Sequence, residues 1–268
     1  MKIAILQMDV KIAQNFKDCE QNFIRARELI DRALKRGADI AVLPEAFNMG
    51  FNTAKFKELA DTNAAYTKKF LSEISQKNGA VLIGGSINSK RDKIYNSAFI
   101  YQNGAKILCY DKIHAFSLAR ENEIVSGGDK LGICEIKFQN RAVKIGVAIC
   151  YDLRFCEIFR ALALRGAQIV FVIAQFAQSR IEHFITLAKA RAIENQIFIC
   201  AVNGCGDTGQ GENFGGNSML IGPNGEIVAR LGKKEAVKIA LADLDEILKF
   251  RAKMDLLKDM KPEIYKEF

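Results

Sequence analysis

The sequence predicts an α/β protein in which mixed β-sheets carry helices on their outer faces. Two patterns lead there. Short apolar runs rich in β-branched residues alternate with stretches that repeat apolar positions every three to four residues, the strand and helix signals of a layered α/β fold. Elsewhere, consecutive strands are separated only by turn residues, as at Asn103-Gly104, which implies antiparallel hairpins and therefore sheets of mixed direction.

The elements follow in order. "KIAIL" (2–6) reads as a buried strand. Over 20–36, Phe23, Ala26, Ile30 and Ala33 share a helical face, with Lys35 and Arg36 in the last turn and Gly37 as its stop. "DIAVLP" (39–44) is the next strand, a helix near 66–78 leads to Gly79, and "AVLIGGSI" (80–87) is again strand. "NSAFIY" and "AKILCY" form a hairpin about Asn103-Gly104, and a polar loop spans 115–132. "AVKIGVAIC" (142–150), a helix at 156–165, "QIVFVIA" (168–174), a helix at 181–195 and "IFICAV" (197–202) repeat the strand–helix alternation. "NSMLIG", the turn Pro223-Asn224-Gly225-Glu226, "IVARL" and "EAVKIALADL" read as a meander that ends in a short helix at 245–253.

With 268 residues, 49% hydrophobic and 26% charged, the chain has material for one large core, and a single domain over residues 1–268 is expected. No apolar run approaches the roughly 20 residues of a membrane span. "MKIAILQMDV" is interrupted too early by Asp9 and Lys11 for a secretory signal, so the expectation is a cytoplasmic protein without membrane attachment. Seven cysteines without C-x-x-C spacing argue against a disulfide framework or zinc ribbon. His114 and His183 lie far apart, and neither a metal nor a cofactor is expected. The net charge of +8 is scattered among acids, which speaks against nucleic acid and suits a small anionic partner.

Three polar groups stand at the downstream ends of apolar strands: Glu45 in "AVLPEAF", Lys112 in "YDKIHAF" and Cys150 in "VAICYDLRF". Such ends are where open α/β sheets present ligand-binding groups. Alone, Cys150 reads as a small buried hydrophobe, Glu45 as a residue opening a helix and Lys112 as a solvated hairpin end. Together they suit a cysteine hydrolase. A thiol with a pKa of about 8.5 needs a base or a nearby cation to become a nucleophile. Glu45 is a candidate base, and His114, on the same face as Lys112, is its rival. Attack on a carbonyl or nitrile builds negative charge, for which Lys112 and the amide of Tyr151 are candidate partners. Asp152 and Arg154 are expected to brace the turn after the cysteine.

The three segments "LPEAF" (43–47), "YDKIHAF" (110–116) and "GVAICYDLRF" (146–155) resemble, in order, the glutamate, lysine and cysteine motifs of the nitrilase superfamily of carbon–nitrogen hydrolases. The likeness extends from "KIAILQMD" to "NSMLIGPNGEIVA" (217–229). It implies that Glu45 is the general base, that Lys112 stabilises the tetrahedral intermediate, and that Cys150 forms a thioester with release of ammonia. It further implies that Glu121 holds Lys112 and orients the leaving nitrogen, and that His114 is structural. "YDKIHAF" and "ARAIENQIF" (190–198) are most similar to the ω-amidase branch, whose 2-oxo acid amides carry a carboxylate. Arg180 is then a candidate counter-ion, with Phe176 and Phe116 as further substrate-binding candidates. "AQFAQSR" (174–180) departs from the branch, with Gln175, Phe176 and Ala177 in place of asparagine, tryptophan and proline, and Ala115 replaces a leucine. The implied fold is a four-layer αββα sandwich. A homodimer is implied too, through 156–165, 181–195 and a tail at 249–265 within residues 245–268. Rival readings are a carbamoyl amidohydrolase, aliphatic amidase or nitrilase with the same triad, an isochorismatase-like hydrolase, a silent binding protein, and a redox sensor pairing Cys150 with Cys156.

Overall fold

The computed structural model describes residues 1–209 and 211–264. Its first half runs β1 (Lys2–Gln7), α1 (Phe16–Lys35), β2 (Ile40–Val42), α2 (Phe56–Leu59), β3 (Asp61–Thr62), α3 (Ala65–Asn78), β4 (Val81–Lys90), β5 (Lys93–Gln102) and β6 (Ala105–Asp111). There follow β7 (Gly132–Phe138), β8 (Arg141–Ile149), α4 (Cys156–Leu164), β9 (Ile169–Ala174), α5 (Ile181–Asn195) and β10 (Phe198–Asn203). The last part comprises β11 (Cys205–Asp207), β12 (Asn213–Gly215), β13 (Met219–Ile221), β14 (Ile227–Arg230), β15 (Ala236–Leu241) and α6 (Asp245–Lys253).

One sheet has the order β15-β1-β2-β4-β5-β6, with β3 beside β4; the other has the order β14-β13-β10-β9-β8-β7. Both are mixed. The strands β1, β2 and β4 run parallel while β4, β5 and β6 alternate in direction, and β8, β9 and β10 are parallel with antiparallel neighbours outside them. Ile3, Ile5, Val42 and Ile83 face Val147, Ile149, Phe171 and Ile173 between the sheets. The alternate residues Ala4, Leu6, Ala41 and Leu82 pack under α1 and α3 through Phe23, Ile30, Phe70 and Ile74. Val170 and Val172 pack in the same way under α4 and α5 through Phe159, Leu162, Phe184 and Ala188. The result is the αββα sandwich. Strands buried on both faces explain why "KIAIL" and "IVFVIA" read as continuous apolar runs rather than alternating ones. Each such side chain contributes about 1.5–3 kcal/mol by leaving water.

Several elements depart from the expectations. The helix α1 begins at Phe16 rather than at residue 20 because Asn15 caps it, its side chain accepting the Asp18 amide at 3.1 Å. The loop expected over 115–132 gives way at Gly132 to a whole strand, β7, paired with β8 from Gly132↔Val147 to Phe138↔Arg141. The terminal meander is overturned. Strands β13 and β14 pair with each other, but β15 crosses to the other sheet and lies antiparallel to β1, with Lys2 opposite Leu241. Apolar alternation marks a strand without naming its partner. Beyond α6 the chain is tied to the end of α5, where Gln196 donates to Met254 O at 2.6 Å and accepts from Leu256 N at 3.1 Å. Of the expected tail, Tyr265 and residues 266–268 lie outside the described residues.

Candidate active site

Strand ends from both sheets converge on one cluster. Beyond β2, Leu43 N still bonds Ile83 O at 2.9 Å, and Phe47 N bonds Gly85 O at 3.1 Å, so the loop carrying Glu45 lies on β4. Gly85 permits this approach, since a Cβ there would stand 2.9 Å from Glu45 Cα. Lys112 directly follows β6 and Cys150 directly follows β8. Ala46 and Cys150 both adopt left-handed backbone, with φ of 45° and 47°, which costs an L-residue energy and recurs where a side chain must be aimed.

Lys112 is 1% exposed, and Glu45 and Glu121 are fully buried. The Lys112 Nζ donates to Glu45 Oε1 at 3.0 Å and to Glu121 Oε2 and Oε1 at 2.8 and 3.1 Å. Glu45 Oε2 accepts the Gln175 amide at 3.0 Å, and Glu121 Oε2 accepts the Phe116 amide at 2.6 Å. The charges of Glu45 and Lys112 both act on the Cys150 thiol. Two carboxylates and one ammonium leave the buried cluster with a formal excess of negative charge. Burial raises the Glu45 carboxyl above its ordinary value, with Lys112 opposing and Glu121 reinforcing the rise. Burial alone would lower the Lys112 ammonium, but the Glu45 and Glu121 carboxylates outweigh it and the net shift is upward. The Cys150 thiol is pushed well up, first by burial and then by the Glu45 charge, against the pull of Lys112.

Cys150 opens onto a cavity of about 130 Å³ whose wall includes Phe51, Phe116, Tyr151, Phe176, Arg154, Arg180 and Glu212. The substrate-binding candidates Arg180, Phe176 and Phe116 thus stand on the same wall as the thiol. Asp152 braces the turn as expected, accepting from Ile149 N at 3.0 Å, Tyr110 Oη at 2.7 Å and His114 N at 3.0 Å. His114 turns its ring to Asp152 at 3.0 Å and stacks on Phe155 with centroids 3.6 Å apart, so it faces a structural partner. The expectation for Arg154 does not hold. Its guanidinium lines the cavity, over Tyr151 at 5.9 Å and Phe176 at 5.6 Å, and the bracing arginine is Arg191, which donates to Leu153 O at 3.1 and 3.0 Å.

Two site residues escaped sequence reasoning. Asn96, on β5, donates Nδ2 to Glu45 Oε1 at 2.7 Å and to Glu121 Oε1 at 2.9 Å. Gln175, noted only as a departure, donates Nε2 to Glu45 O at 2.5 Å and accepts the Phe51 amide at 3.0 Å. A polar residue inside the apolar run "NSAFIY" was the available signal for the first. Among the described residues no group of three or more His, Cys, Asp or Glu side chains is placed to hold a metal ion.

Fold and site together define a class, the αββα-sandwich hydrolytic enzymes. Residues 2–252 match the carbon–nitrogen hydrolase family, and the chain belongs to it. It is 32% identical to 2-oxoglutaramate amidase of Bacillus subtilis (strain 168) over 98% of each chain. It is 30% identical to omega-amidase NIT2 of Danio rerio over 98% of this chain and 96% of that one. Among solved structures, Nit3 of Saccharomyces cerevisiae, a member of branch 10 of the nitrilase superfamily, superposes with a TM-score of 0.85 at 30% identity, covering 96% of this chain and 94% of that chain.

Proposed function

We propose that the protein is a thiol amidase that converts a small linear amide carrying a carboxylate, such as the ω-amide of a 2-oxo acid, to acid and ammonia. The observation that carries this reading is that Cys150, under the charges of the buried Glu45–Lys112–Glu121 cluster, opens onto a cavity whose wall also holds Arg154 and Arg180. The raised Glu45 carboxyl suits a base that must take a proton from a thiol and return it. As Sγ attacks the carbonyl carbon, Glu45 takes the thiol proton, and the oxyanion forms against Lys112 and the Tyr151 amide. Glu45 then protonates the amide nitrogen, the C–N bond breaks, and ammonia leaves a thioester on Cys150. Water gives a proton to Glu45 and attacks the thioester; the C–S bond breaks, and the proton returns to sulfur. Glu121 holds Lys112 in place through this cycle and orients the leaving nitrogen.

A guanidinium on the cavity wall, where Arg154 and Arg180 both stand, supplies the charge that a substrate carboxylate requires. The reading extends to a single catalytic domain working in the cytoplasm as a homodimer, paired through α4, α5 and the tail, where Leu164, Ile193 and Met254 are exposed. Ammonia release from 2-oxoglutaramate, 2-oxosuccinamate, glutamine, asparagine, N-carbamoyl-β-alanine and a simple nitrile, with Cys150→Ala as blank, tests it. Turnover of the 2-oxo amides is the expected result. Preference for a carbamoyl or nitrile substrate overturns the substrate class, and full activity in the blank overturns the mechanism.

A further inference from the structure

Glu212 shares the cavity wall with Cys150. Its backbone is held by Thr208, which donates N and Oγ1 to the Glu212 carbonyl at 3.0 and 2.7 Å. Just beyond it, Gly215 N bonds Phe176 O at 2.8 Å, tying β12 to the segment that leads to Arg180. On that segment Ser179 Oγ donates to Glu212 Oε2 at 2.8 Å, and Arg180 Nη2 lies 3.9 Å from Oε1. Arg180 is therefore already matched by a carboxylate of the protein itself. Arg154 is not. It faces two aromatic rings and the His183 Nδ1 at 3.4 Å, and among the described residues it has no carboxylate partner.

We propose that Glu212 is a specificity-determining residue: it neutralises Arg180 from within the protein, so that the cavity offers Arg154 as its uncompensated cation and takes amides bearing one carboxylate. This deepens the amidase reading and rests on it for the nature of the substrate. A ligand with two carboxylates would need Arg180 as its second counter-ion and would meet Glu212 there, a like charge in a narrow space. Rejection by an unmatched charge is a common source of selectivity. An ammonium-bearing ligand gains little from Glu212, because both of its carboxylate oxygens already face Ser179 and Arg180.

Calorimetric titration of butyrate, with one carboxylate, and glutarate, with two, tests the assignment on the wild type, Glu212→Gln, and Glu212→Gln combined with Arg180→Gln. In Glu212→Gln the affinity for glutarate relative to butyrate should rise about fivefold, as expected for releasing a half-exposed ion pair. The gain should vanish in the double variant. An unchanged ratio in Glu212→Gln, or a gain that survives the loss of Arg180, overturns the proposal, as does a loss of asparagine binding caused by Glu212→Gln alone, which would assign Glu212 to an ammonium. The titration needs no turnover. Absence of ammonia release from every amide would overturn the amidase reading while leaving the role of Glu212 legible.

Discussion

Asn96 fixes Glu45 from the neighbouring strand region: its Nδ2 lies 2.7 Å from Glu45 Oε1, while its own Oδ1 is buried without a hydrogen-bond partner among the described residues. Both amide hydrogens are committed to carboxylates, one to Glu45 and one to Glu121. A donor that serves two like charges holds them around Lys112 despite their repulsion. A buried oxygen left unpaired is the cost of that arrangement.

Replacing Asn96 with alanine should therefore act on acidity as well as on geometry. Hydrogen bonding to the charged form lowers the Glu45 carboxyl, against the burial that raises it. Without Asn96 that carboxyl rises further, and the acid limb of kcat/KM, which the proposed mechanism assigns to protonation of Glu45, moves to higher pH. Activity should fall about 10- to 100-fold and stability by about 1–3 kcal/mol. A pH–rate profile with an unmoved acid limb would reduce Asn96 to a packing residue.

Glu121→Gln predicts the opposite shift. The Glu121 charge raises the Glu45 carboxyl and also helps hold Lys112 protonated. Its removal should move the acid limb to lower pH. Lys112 retains Glu45 as a partner but loses one of its two acceptors on residue 121 and the charge of the other, so kcat should fall about 10- to 100-fold through misplacement of the ammonium. The pair of profiles, one limb shifted up and the other down, is the check.

Gly85→Ala tests the approach of the Glu45 loop to β4. The added methyl would meet Glu45 Cα and Ala46 N at 2.9 Å and Ile173 Cδ1 at 2.8 Å, and backbone on one side of it has little room to yield. Overpacking of this kind costs about 1–3 kcal/mol, and a displacement of Glu45 by a fraction of an ångström should lower kcat more than it raises KM. Thermal unfolding together with steady-state kinetics reads both effects; wild-type kcat in a destabilised protein would show that the loop tolerates the shift.

Much of this was legible in the sequence because burial writes itself into apolar runs. Strands β1, β2, β9 and β10 and the helices under them were visible as such, and Glu45, Lys112 and Cys150 stood out at strand ends. What was not legible depended on partners distant in the chain. Strand β15 carries the same pattern whether it joins β14 or β1, and its crossing is fixed by packing between the sheets. Asn96 and Gln175 are ordinary polar residues until the fold brings carboxylates to them. Arg154, two residues beyond Asp152 in the same turn, reads as a second brace, yet the turn sends one side chain into the core and the other to the cavity.

The resting state of Cys150 offers the sharpest test of how these charges work together. Burial comes first and the Glu45 carboxylate second in pushing the thiol well above its ordinary value, and Lys112 opposes them without prevailing because two carboxylates already surround it. The residue should therefore be a protonated thiol at about pH 7, unlike thiols that a cation holds as thiolates. The ultraviolet thiolate band, taken as wild type minus Cys150→Ala, should be absent near neutrality and appear only at alkaline pH. A full band near pH 7 would show that Lys112 wins. A protonated thiol must lose its proton as it attacks, so Glu45→Gln should slow alkylation of Cys150 by iodoacetamide as well as hydrolysis. With a preformed thiolate the same variant would still alkylate readily, and the contrast between the two reactions separates a base that acts during attack from a charge that acts before it.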